Sequence, residues 1–337
     1  MLFNTHRRNV ELHLHLEGCV RPETLFELAQ LRQMHLPYET VEELMYALLP
    51  KRPYSLANFL QGYQILLPIV AGNKHALERI THECVADCSR LSELCYVELR
   101  FSPYLLSGPH LSPEETTTII LDAAKHAGDK YGVLVRTILC IPRNYPGTAE
   151  EILLMAVKYK DQGVVAIDLA ADDGPWENNA IRLEVVEVFD RAKKLGIHRT
   201  VHAGEHSPPS AVVDAIEVLH AERIGHGYSI LSDLKVYDYV RTSGVHLETC
   251  PSCSWLTGGV NPEPPSEHPV RKFAADHFNF SINTNFPLMS QRWLMDEWEF
   301  CQKALGFSKE ELRRGQINAA HAAFLDDDKL KDALIKH

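Results

Sequence analysis

The chain has 337 residues, of which 45% are hydrophobic and 23% are charged, as expected for a globular protein with a full core. Its formal net charge of −11 argues against a general nucleic-acid surface or an anionic-membrane surface, because both need clustered lysine and arginine. No segment approaches the ~20 apolar residues of a membrane span, and the N-terminus lacks the apolar run of a signal peptide. Eight unevenly placed cysteines favour reduced, buried thiols, so we expect a cytoplasmic protein.

Short apolar runs alternate along the whole chain with longer amphipathic stretches, and no linker divides them. Eight of these runs are predicted to be strands, and they lie near Val10, Tyr96, Val133, Val164, His198, Arg223, Val245 and Phe278. Most of the intervening segments have apolar residues at helical spacing, and 76–91 is a good example.

Near-continuous apolar strands separated by helices indicate a parallel sheet that is covered by helices on its outside. Eight such units make a (β/α)₈ TIM barrel of the α/β class, and we expect residues 1–337 to form a single barrel domain. Residues 36–70 do not fit into one unit, so we expect a helical insertion after the first strand that forms a lid over the pocket. In such barrels the catalytic side chains follow the C-terminal ends of the strands.

Histidines occur at three of these strand ends. His13 and His15 lie on one face of the first strand because side chains alternate along a strand, although two hydrogen-bonded core histidines would give the same pattern. The fifth strand ends in His202, with Glu205 shortly after it, and the sixth strand ends in His226. Three strands that supply imidazoles at one end of a barrel predict a mononuclear Zn²⁺ site. Glu205 would then carry protons, and His226 would orient the attacking water.

Six motifs together resemble the adenosine deaminase family, most closely its animal members. They are VELHLHLEG, YVELRFSPYLL, VVAIDLA, GIHRTVHAGE, ERIGHGY and INAAHAAFL, in this order from about Val10 to about Leu325. The resemblance implies a metal-dependent hydrolase that converts adenosine, a small-molecule purine nucleoside, and water to inosine and ammonia. It also implies that His13, His15 and His202 bind zinc. Glu205 would protonate the purine nitrogen N1, and His226 would steer the attacking water.

The resemblance also implies residues that contact the substrate. Arg100 and Ser102 fall in a motif close to the pocket rim. An apolar stripe at positions i, i+3, i+4 and i+7 matches the helix that covers the purine, although ordinary core packing would produce the same spacing. The residues of this stripe are Leu56, Phe59, Leu60 and Tyr63.

Four positions depart from the family pattern. The family's eighth strand ends in paired aspartates, as in SLNTDDP, whereas this chain has SINTNFP with Asn285 and Phe286 at the two positions. The first aspartate is a metal ligand in the family, so Asn285 would be a weaker one, and the second shares a hydrogen bond with the purine N7, which Phe286 cannot do. Glu17 stands near the expected ribose position, where animal members have Asp, and a longer carboxylate there also resembles adenine deaminases. Ala171 replaces a glycine whose backbone N–H faces the purine.

Losing both acids is expected to reduce turnover. A neutral amide lowers the pKa of water beside the metal less well than a carboxylate does, and a changed metal partner costs ~10–100-fold or more in affinity or activity. The sequence therefore leaves three functions open: a slowed adenosine deaminase, a catalytically silent protein that binds a purine or a protein partner, and an adenine-type deaminase.

Overall fold

A computed structural model describes residues 9–174, 181–261 and 263–335, and within them eight strands form one sheet. Each strand pairs in parallel with the next one along the chain, in the order β1 to β8. The strands are β1 (Asn9–His15), β2 (Leu94–Phe101), β3 (Leu134–Pro142), β4 (Val164–Ala170), β5 (His198–Ala203), β6 (Arg223–His226), β7 (His246–Thr249) and β8 (Phe280–Ile282). The eight predicted strands are thus confirmed.

The sheet curls into a barrel, and Asn285 closes the gap between β8 and β1. The Asn285 backbone N–H donates to the carbonyl of His13 at 2.9 Å, and the His15 N–H donates to the Asn285 carbonyl at 3.0 Å. Asn285 adopts φ +64°, a left-handed conformation that asparagine and aspartate tolerate better than most residues. Across the same seam Asn283 accepts the backbone N–H of Leu12 at 3.1 Å, and Glu11 accepts the backbone N–H of Thr284 at 2.9 Å. The predicted (β/α)₈ architecture is therefore confirmed.

Helices fill the connections between the strands. From α1 to α8 they are Pro22–Leu31, Val41–Leu48, Leu56–Val70, Lys74–Arg90, Pro103–Leu106, Pro113–Tyr131, Ala149–Lys158 and Leu183–Lys194. From α9 to α16 they are Pro209–Glu217, Leu234–Ser243, Pro251–Leu256, Pro269–Ala275, Pro287–Ser290, Leu294–Lys303, Lys309–Ala322 and Asp328–Ile335. None of the helices among the described residues is long and apolar enough to cross a membrane.

Local sequence signals explain where several helices begin. Thr40, Ser55 and Asn73 each accept a hydrogen bond from a backbone N–H in the first turn of α2, α3 and α4. Ser112 and Ser308 form capping boxes with a glutamate three residues later, at the starts of α6 and α15. The helices α2 and α3 occupy the segment 36–70, which the sequence analysis treats as an insertion after β1.

Buried charged side chains fill the part of the barrel interior that lies away from the C-terminal ends of the strands. Arg100 donates to Asp168 at 2.9 Å, to Glu248 at 2.6 Å and to the carbonyl of Leu12 at 2.7 Å. Because Arg100 is fully buried in this network, the expectation that it lies near the pocket rim is wrong. Its guanidinium neutralises carboxylates below the pocket, where alternation along β2 turns it toward the barrel axis.

A second arginine extends this network to the opposite end of the barrel. Arg223 donates to Glu248 at 2.7 Å and pairs with Glu98, and its guanidinium lies 3.6 Å from the centroid of the Phe324 ring. Glu98 also accepts the backbone N–H of Phe324 at 2.6 Å, so the segment after α15 seals the N-terminal end. This network therefore places two arginines and the carboxylates of Glu98, Asp168 and Glu248 inside the barrel, which is not entirely apolar.

Candidate active site

A cavity of about 540 Å³ opens at the C-terminal ends of the strands, where the barrel architecture predicts the site. This volume is within the ~300–1,000 Å³ range of small-molecule pockets. Of the predicted site residues, thirteen line this cavity: His15, Glu17, Leu56, Phe59, Leu60, Tyr63, Ser102, Ala171, His202, Glu205, His226, Asn285 and Phe286. The fourteenth, His13, is fully buried beside it.

Four imidazoles meet at the floor of the cavity. Nitrogen atoms of His13, His202 and His226 all lie within 4.8 Å of one another. His15 faces the same group, because its Nε2 atom is 3.3 Å from Nε2 of His202. Two nitrogen ligands of a tetrahedral zinc ion, each ~2.0–2.1 Å from the metal, lie about 3.3–3.4 Å apart. The spacing of His15 and His202 therefore matches a shared metal ion.

Carboxylates orient two of these rings from below. Nδ1 of His13 is 2.7 Å from Glu248, and Nδ1 of His202 is 3.0 Å from Asp168. Each carboxylate accepts a hydrogen bond from an Nδ1–H group, which leaves the Nε2 lone pair of that ring free to bind a metal. Nε2 of His13 is buried and has no hydrogen-bond partner among the described residues, as expected for an atom whose partner is an ion.

The charges of this layer are fixed at neutral pH. Burial acts to raise the pKa of Asp168, but His202 and Arg100 outweigh it and hold the pKa at about 2. Burial likewise acts to raise the pKa of Glu248, and the neighbouring arginines keep it well below the ordinary value. Burial lowers the pKa of His13 well below the usual range, so its ring is neutral and can donate a lone pair.

His226 is oriented differently from the other three rings. Its Nε2 lies 3.5 Å from Oε2 of Glu205, and its Nδ1 lies 3.2 Å from the hydroxyl of Ser254. Burial lowers the pKa of His226 to about 4, so the ring is neutral at pH 7 and can accept a proton. His226 thus faces the carboxylate, whereas His15 faces His202.

Hydrogen bonds hold Glu205 at the cavity wall. Thr257, at the end of α11, donates its hydroxyl proton to Oε1 of Glu205 at 2.7 Å. Asp173 accepts the backbone N–H groups of Glu205 and His206 at 3.1 and 3.0 Å and the hydroxyl of Ser207 at 2.7 Å. Burial acts to raise the pKa of Asp173, but the His206 side chain, followed by Ser207, the His206 backbone N–H and Arg143, keeps it below its ordinary value, so the carboxylate stays charged. Asp173 belongs to the loop after β4, so that loop holds the loop after β5, which carries Glu205.

Asn285 and Phe286 lie on the cavity wall between the histidines and α3. Asn285 is 8% exposed, and its amide hydrogen-bonds the Cys253 thiol, which lowers the thiol pKa against the larger opposite effect of burial. The Phe286 ring contacts Tyr63 and Phe59 with centroid separations of 4.9 and 5.5 Å, and it is 1% exposed. Phe286 therefore extends the apolar wall of α3 toward the metal-binding face.

Gly18 makes room for this ring. A Cβ atom at Gly18 would lie 2.5 Å from Cδ2 and 2.6 Å from Cγ of Phe286, closer than carbon atoms pack. The missing side chain at Gly18 therefore leaves the space that the Phe286 ring fills.

The predicted substrate contacts outside α3 and Phe286 are Glu17, Ser102 and Ala171, and all three line the cavity. Oε1 of Glu17 accepts the Tyr63 hydroxyl at 3.1 Å, while Oε2 of Glu17 and Oγ of Ser102 are buried without a hydrogen-bond partner among the described residues. These atoms are free to bind a ligand. Ala171 has φ +75°, a conformation in which a Cβ is strained and glycine is not.

Sequence patterns did not single out several residues that build the site. Arg143, Asp173 and Thr257 line the cavity, and Asp168 and Glu248 orient the histidines beneath it. The available signal was a carboxylate inside an otherwise apolar strand, as in VVAIDLA and VHLETC, because buried acids are rare without a partner.

Fold and site together define a (β/α)₈ barrel with a histidine cluster that could hold a metal ion at the C-terminal ends of its strands. The sequence model described as adenosine deaminase matches residues 9–337. The chain therefore belongs to the adenosine deaminase family, and it is an adenosine deaminase-like hydrolase of carbon–nitrogen bonds.

Individual relatives agree with this assignment. The chain is 37% identical to adenosine deaminase of Bos taurus over 337 residues, which cover 96% of this chain and 92% of the relative. It is 33% identical to adenosine deaminase of Clostridium perfringens, with 96% of each chain covered.

Among solved structures, adenine deaminase from Arthrobacter aurescens superposes with a TM-score of 0.86 at 25% identity, covering 98% of this chain and 97% of the other. An Arabidopsis N6-mAMP deaminase has the same fold, with a TM-score of 0.83 at 22% identity and coverage of 97% and 96%.

Proposed function

We propose that the protein is a zinc-dependent aminohydrolase that converts adenosine and water to inosine and ammonia, with a reduced rate. The observation that carries this proposal is the convergence of four imidazoles and Glu205 in one cavity of about 540 Å³. Eight buried free thiols support a reducing cytoplasmic location.

His13, His15 and His202 are the proposed zinc ligands, with Asn285 as a weak fourth. The unpartnered Nε2 of His13 and the 3.3 Å separation between Nε2 atoms of His15 and His202 support this set. Imidazole nitrogens suit zinc, and a catalytic zinc site keeps three protein ligands and one open position. A bound zinc ion lowers the pKa of water and so supplies a nucleophile near neutral pH.

Glu205 and His226 are the proposed proton-handling residues. Glu205 would give a proton to the purine nitrogen N1, and Thr257 fixes its carboxylate in reach of the cavity. The neutral ring of His226 would accept a hydrogen bond from the attacking water, since burial keeps its pKa at about 4. Both residues must lie on the same side of the bound purine, and their 3.5 Å separation fits that requirement.

The helical insertion supplies the proposed substrate wall. Leu56, Phe59, Leu60 and Tyr63 of α3 line the cavity, and helices α2 and α3 would act as a lid within a single barrel domain. Glu17 and Ser102 offer buried polar atoms to the substrate, and Ala171 also lines the cavity.

Two features support slower turnover than a site with aspartate at both positions 285 and 286 would give. Asn285 places a neutral amide where a carboxylate would add negative charge beside the metal. Phe286 offers no hydrogen bond, so a polar edge of the substrate that faces it loses about 1–3 kcal/mol. The α3 wall and Gly18 accept the Phe286 ring, which favours a pocket adapted to it.

The proposal is tested by measuring bound zinc and adenosine turnover in the wild type, in Asn285→Asp and in Asn285→Asp/Phe286→Asp. We expect stoichiometric zinc, slow turnover in the wild type and at least about tenfold faster turnover in the double variant. His15→Ala should lose zinc whereas His226→Ala should keep it and lose turnover. If the wild type and both Asp variants hold zinc but none of them turns over adenosine, the protein is a catalytically silent scaffold.

Adenine is a second candidate substrate because of Glu17. Its Oε2 atom is buried without a partner among the described residues, and a free base would present a ring N–H where adenosine has its ribose. Adenine deaminase from Arthrobacter aurescens also has this fold. Comparing kcat/KM for adenine and adenosine in the wild type and in Glu17→Asp decides between the two substrates.

A further inference from the structure

His206 follows Glu205 in the loop after β5 and lies behind it, outside the lining of the cavity. Its Nε2 atom is 3.0 Å from the carbonyl oxygen of Thr257. A carbonyl oxygen only accepts hydrogen bonds, so Nε2 of His206 must carry a proton.

The other nitrogen of this ring faces two carboxylates. Nδ1 of His206 is 3.6 Å from Oδ1 of Asp173 and 3.8 Å from Oε2 of Glu205. The atom is buried and makes no direct hydrogen bond among the described residues. A neutral ring with its proton on Nε2 would turn a lone pair toward both acids, whereas a protonated ring turns an N–H toward them. The geometry therefore favours the imidazolium.

The electrostatics of the surrounding elements agree. Burial acts to lower the pKa of His206, but Asp173, Glu205 and the Thr257 carbonyl outweigh it and raise the pKa to about 9. The charged groups facing this ring are Asp173 from the loop after β4 and Glu205 from its own loop. Beyond them, Arg143 interacts with Asp173, and the neutral ring of His226 lies on the far side of Glu205.

We propose that His206 is a positioning residue for Glu205, and that its cationic ring holds the Glu205 carboxylate at the cavity wall against repulsion from Asp173. Thr257 completes the arrangement, because it binds Glu205 through its hydroxyl and His206 through its carbonyl. The inference rests on the proposed function, in which the Glu205 carboxylate takes a proton from the attacking water and gives it to the purine nitrogen N1. His206 does not touch the substrate and acts only through Glu205.

This arrangement depends on pH in a defined direction. A raised histidine pKa means that the folded state binds the proton more tightly than the unfolded state. The stabilisation by His206 is therefore complete below its ordinary pKa of 6.5 and is lost as the pH rises through about 9. Turnover should fall over the same upper range, because Glu205 loses its neighbouring cation.

The charge of His206 is measured directly by ¹⁵N–¹H correlation NMR of its ring between pH 5 and 10. We expect imidazolium signals at pH 7.5 and a midpoint near 9. Signals of a neutral tautomer at pH 7.5 would overturn the proposal, whether or not the protein is active.

The role of that charge is tested with His206→Gln, which keeps an N–H donor for Thr257 without the cation, and His206→Lys, which restores the cation. His220→Gln is the matched control, since His220 pairs with Asp190 at 3.0 Å on the outer surface. We expect His206→Gln to lower kcat at pH 7.5 by about tenfold and to lose the fall near pH 9, with partial recovery in His206→Lys. A pH profile of His206→Gln that superimposes on the wild type contradicts the proposal.

A crystal structure of His206→Gln gives a readout independent of turnover. The proposal expects the Glu205 carboxylate to leave Thr257, losing the 2.7 Å hydrogen bond. If the wild type does not deaminate adenosine at any pH, the proposed function fails. In that case an unmoved Glu205 in the variant overturns the positioning role, and a displaced one supports it.

Discussion

Glu297 offers the sharpest test of how burial controls protonation in this protein. It lies on α14, is 1% exposed and accepts the backbone N–H of Ser252 at 2.7 Å, with its other oxygen against the Ser252 hydroxyl. Ser252 is in the first turn of α11, whose later residues Ser254 and Thr257 contact His226 and Glu205. Burial raises the Glu297 pKa from 4.5 to about 7, although the hydrogen bonds to Ser252 oppose this shift.

The sign of the effect follows from proton binding. Between pH 4.5 and about 7 the folded protein keeps a proton on Glu297 that the unfolded chain has released, so stability falls as the pH rises. At ~1.4 kcal/mol per pH unit, this shift costs about 3 kcal/mol above pH 7. Glu297→Gln removes the charge and keeps a donor for the Ser252 hydroxyl. The variant should match the wild type near pH 4 and be more stable by up to about 3 kcal/mol at pH 8.

Urea unfolding at pH 4, 6 and 8 measures this difference. The control is Glu299→Gln on the same helix, which is exposed and paired with Lys303. We expect that control to show no gain between pH 6 and 8. If the stabilities of Glu297→Gln and the wild type run parallel over the whole range, burial does not hold the proton on Glu297 and the reasoning is wrong.

Three other substitutions test the site. Glu248→Gln should weaken metal binding ~10–100-fold, because a neutral amide orients His13 less firmly than the carboxylate 2.7 Å from its Nδ1. Ala171→Gly should stabilise the protein by about 0.5–1 kcal/mol, since relief of a left-handed alanine exceeds the entropy cost of glycine. Gly18→Ala should cost about 1–3 kcal/mol through its clash with Phe286, and most of that cost should vanish in the Phe286→Ala background.

Controls for these substitutions come from the same chain. The control for Glu248→Gln is Glu222→Gln, since the Glu222 carboxylate contacts His198 away from the cavity. Zinc titration of this control should show unchanged affinity. If Glu248→Gln and Glu222→Gln lose equal zinc affinity, the role assigned to Glu248 is wrong. Thermal unfolding measures the other two. If Ala171→Gly lowers the stability, the backbone strain assigned to Ala171 is wrong. If Gly18→Ala costs as much stability in the Phe286→Ala background as in the wild type, the clash assigned to Phe286 is wrong.

Local patterns were sufficient to predict the fold, whereas the residues of the cavity wall were implied by the resemblance to the family. Alternation along β1 placed His13 and His15 on one face, and helical spacing placed Leu56 and Tyr63 on one side of α3. In both cases the two residues belong to the same strand or helix, so the geometry of that element alone fixes how their side chains are directed relative to each other. The structure brings both sets to the predicted end of the barrel.

Contacts between distant strands were not predictable in this way. Glu248 reaches His13 across 235 residues, and this pairing depends on the stagger of β7 against β1 around the closed barrel. Arg100 was expected near the rim because its motif ends at the pocket, but alternation turns it inward to Asp168. The position of His206 depends on Thr257, which α11 delivers from another loop. Register and loop packing, rather than composition, decide these contacts.

The closure of the barrel by the main chain of Asn285 has a consequence for protein engineering. At Asn285 the seam between β8 and β1 uses only the backbone N–H and carbonyl, and further hydrogen bonds across it come from Asn283 and Thr284. The side chains at 285 and 286 are therefore not needed to close it. A library at these two positions would therefore vary the chemistry of the metal-binding face while the barrel stays joined. The positive φ at Asn285 favours asparagine, aspartate and glycine at this position, so a library restricted to them stays small.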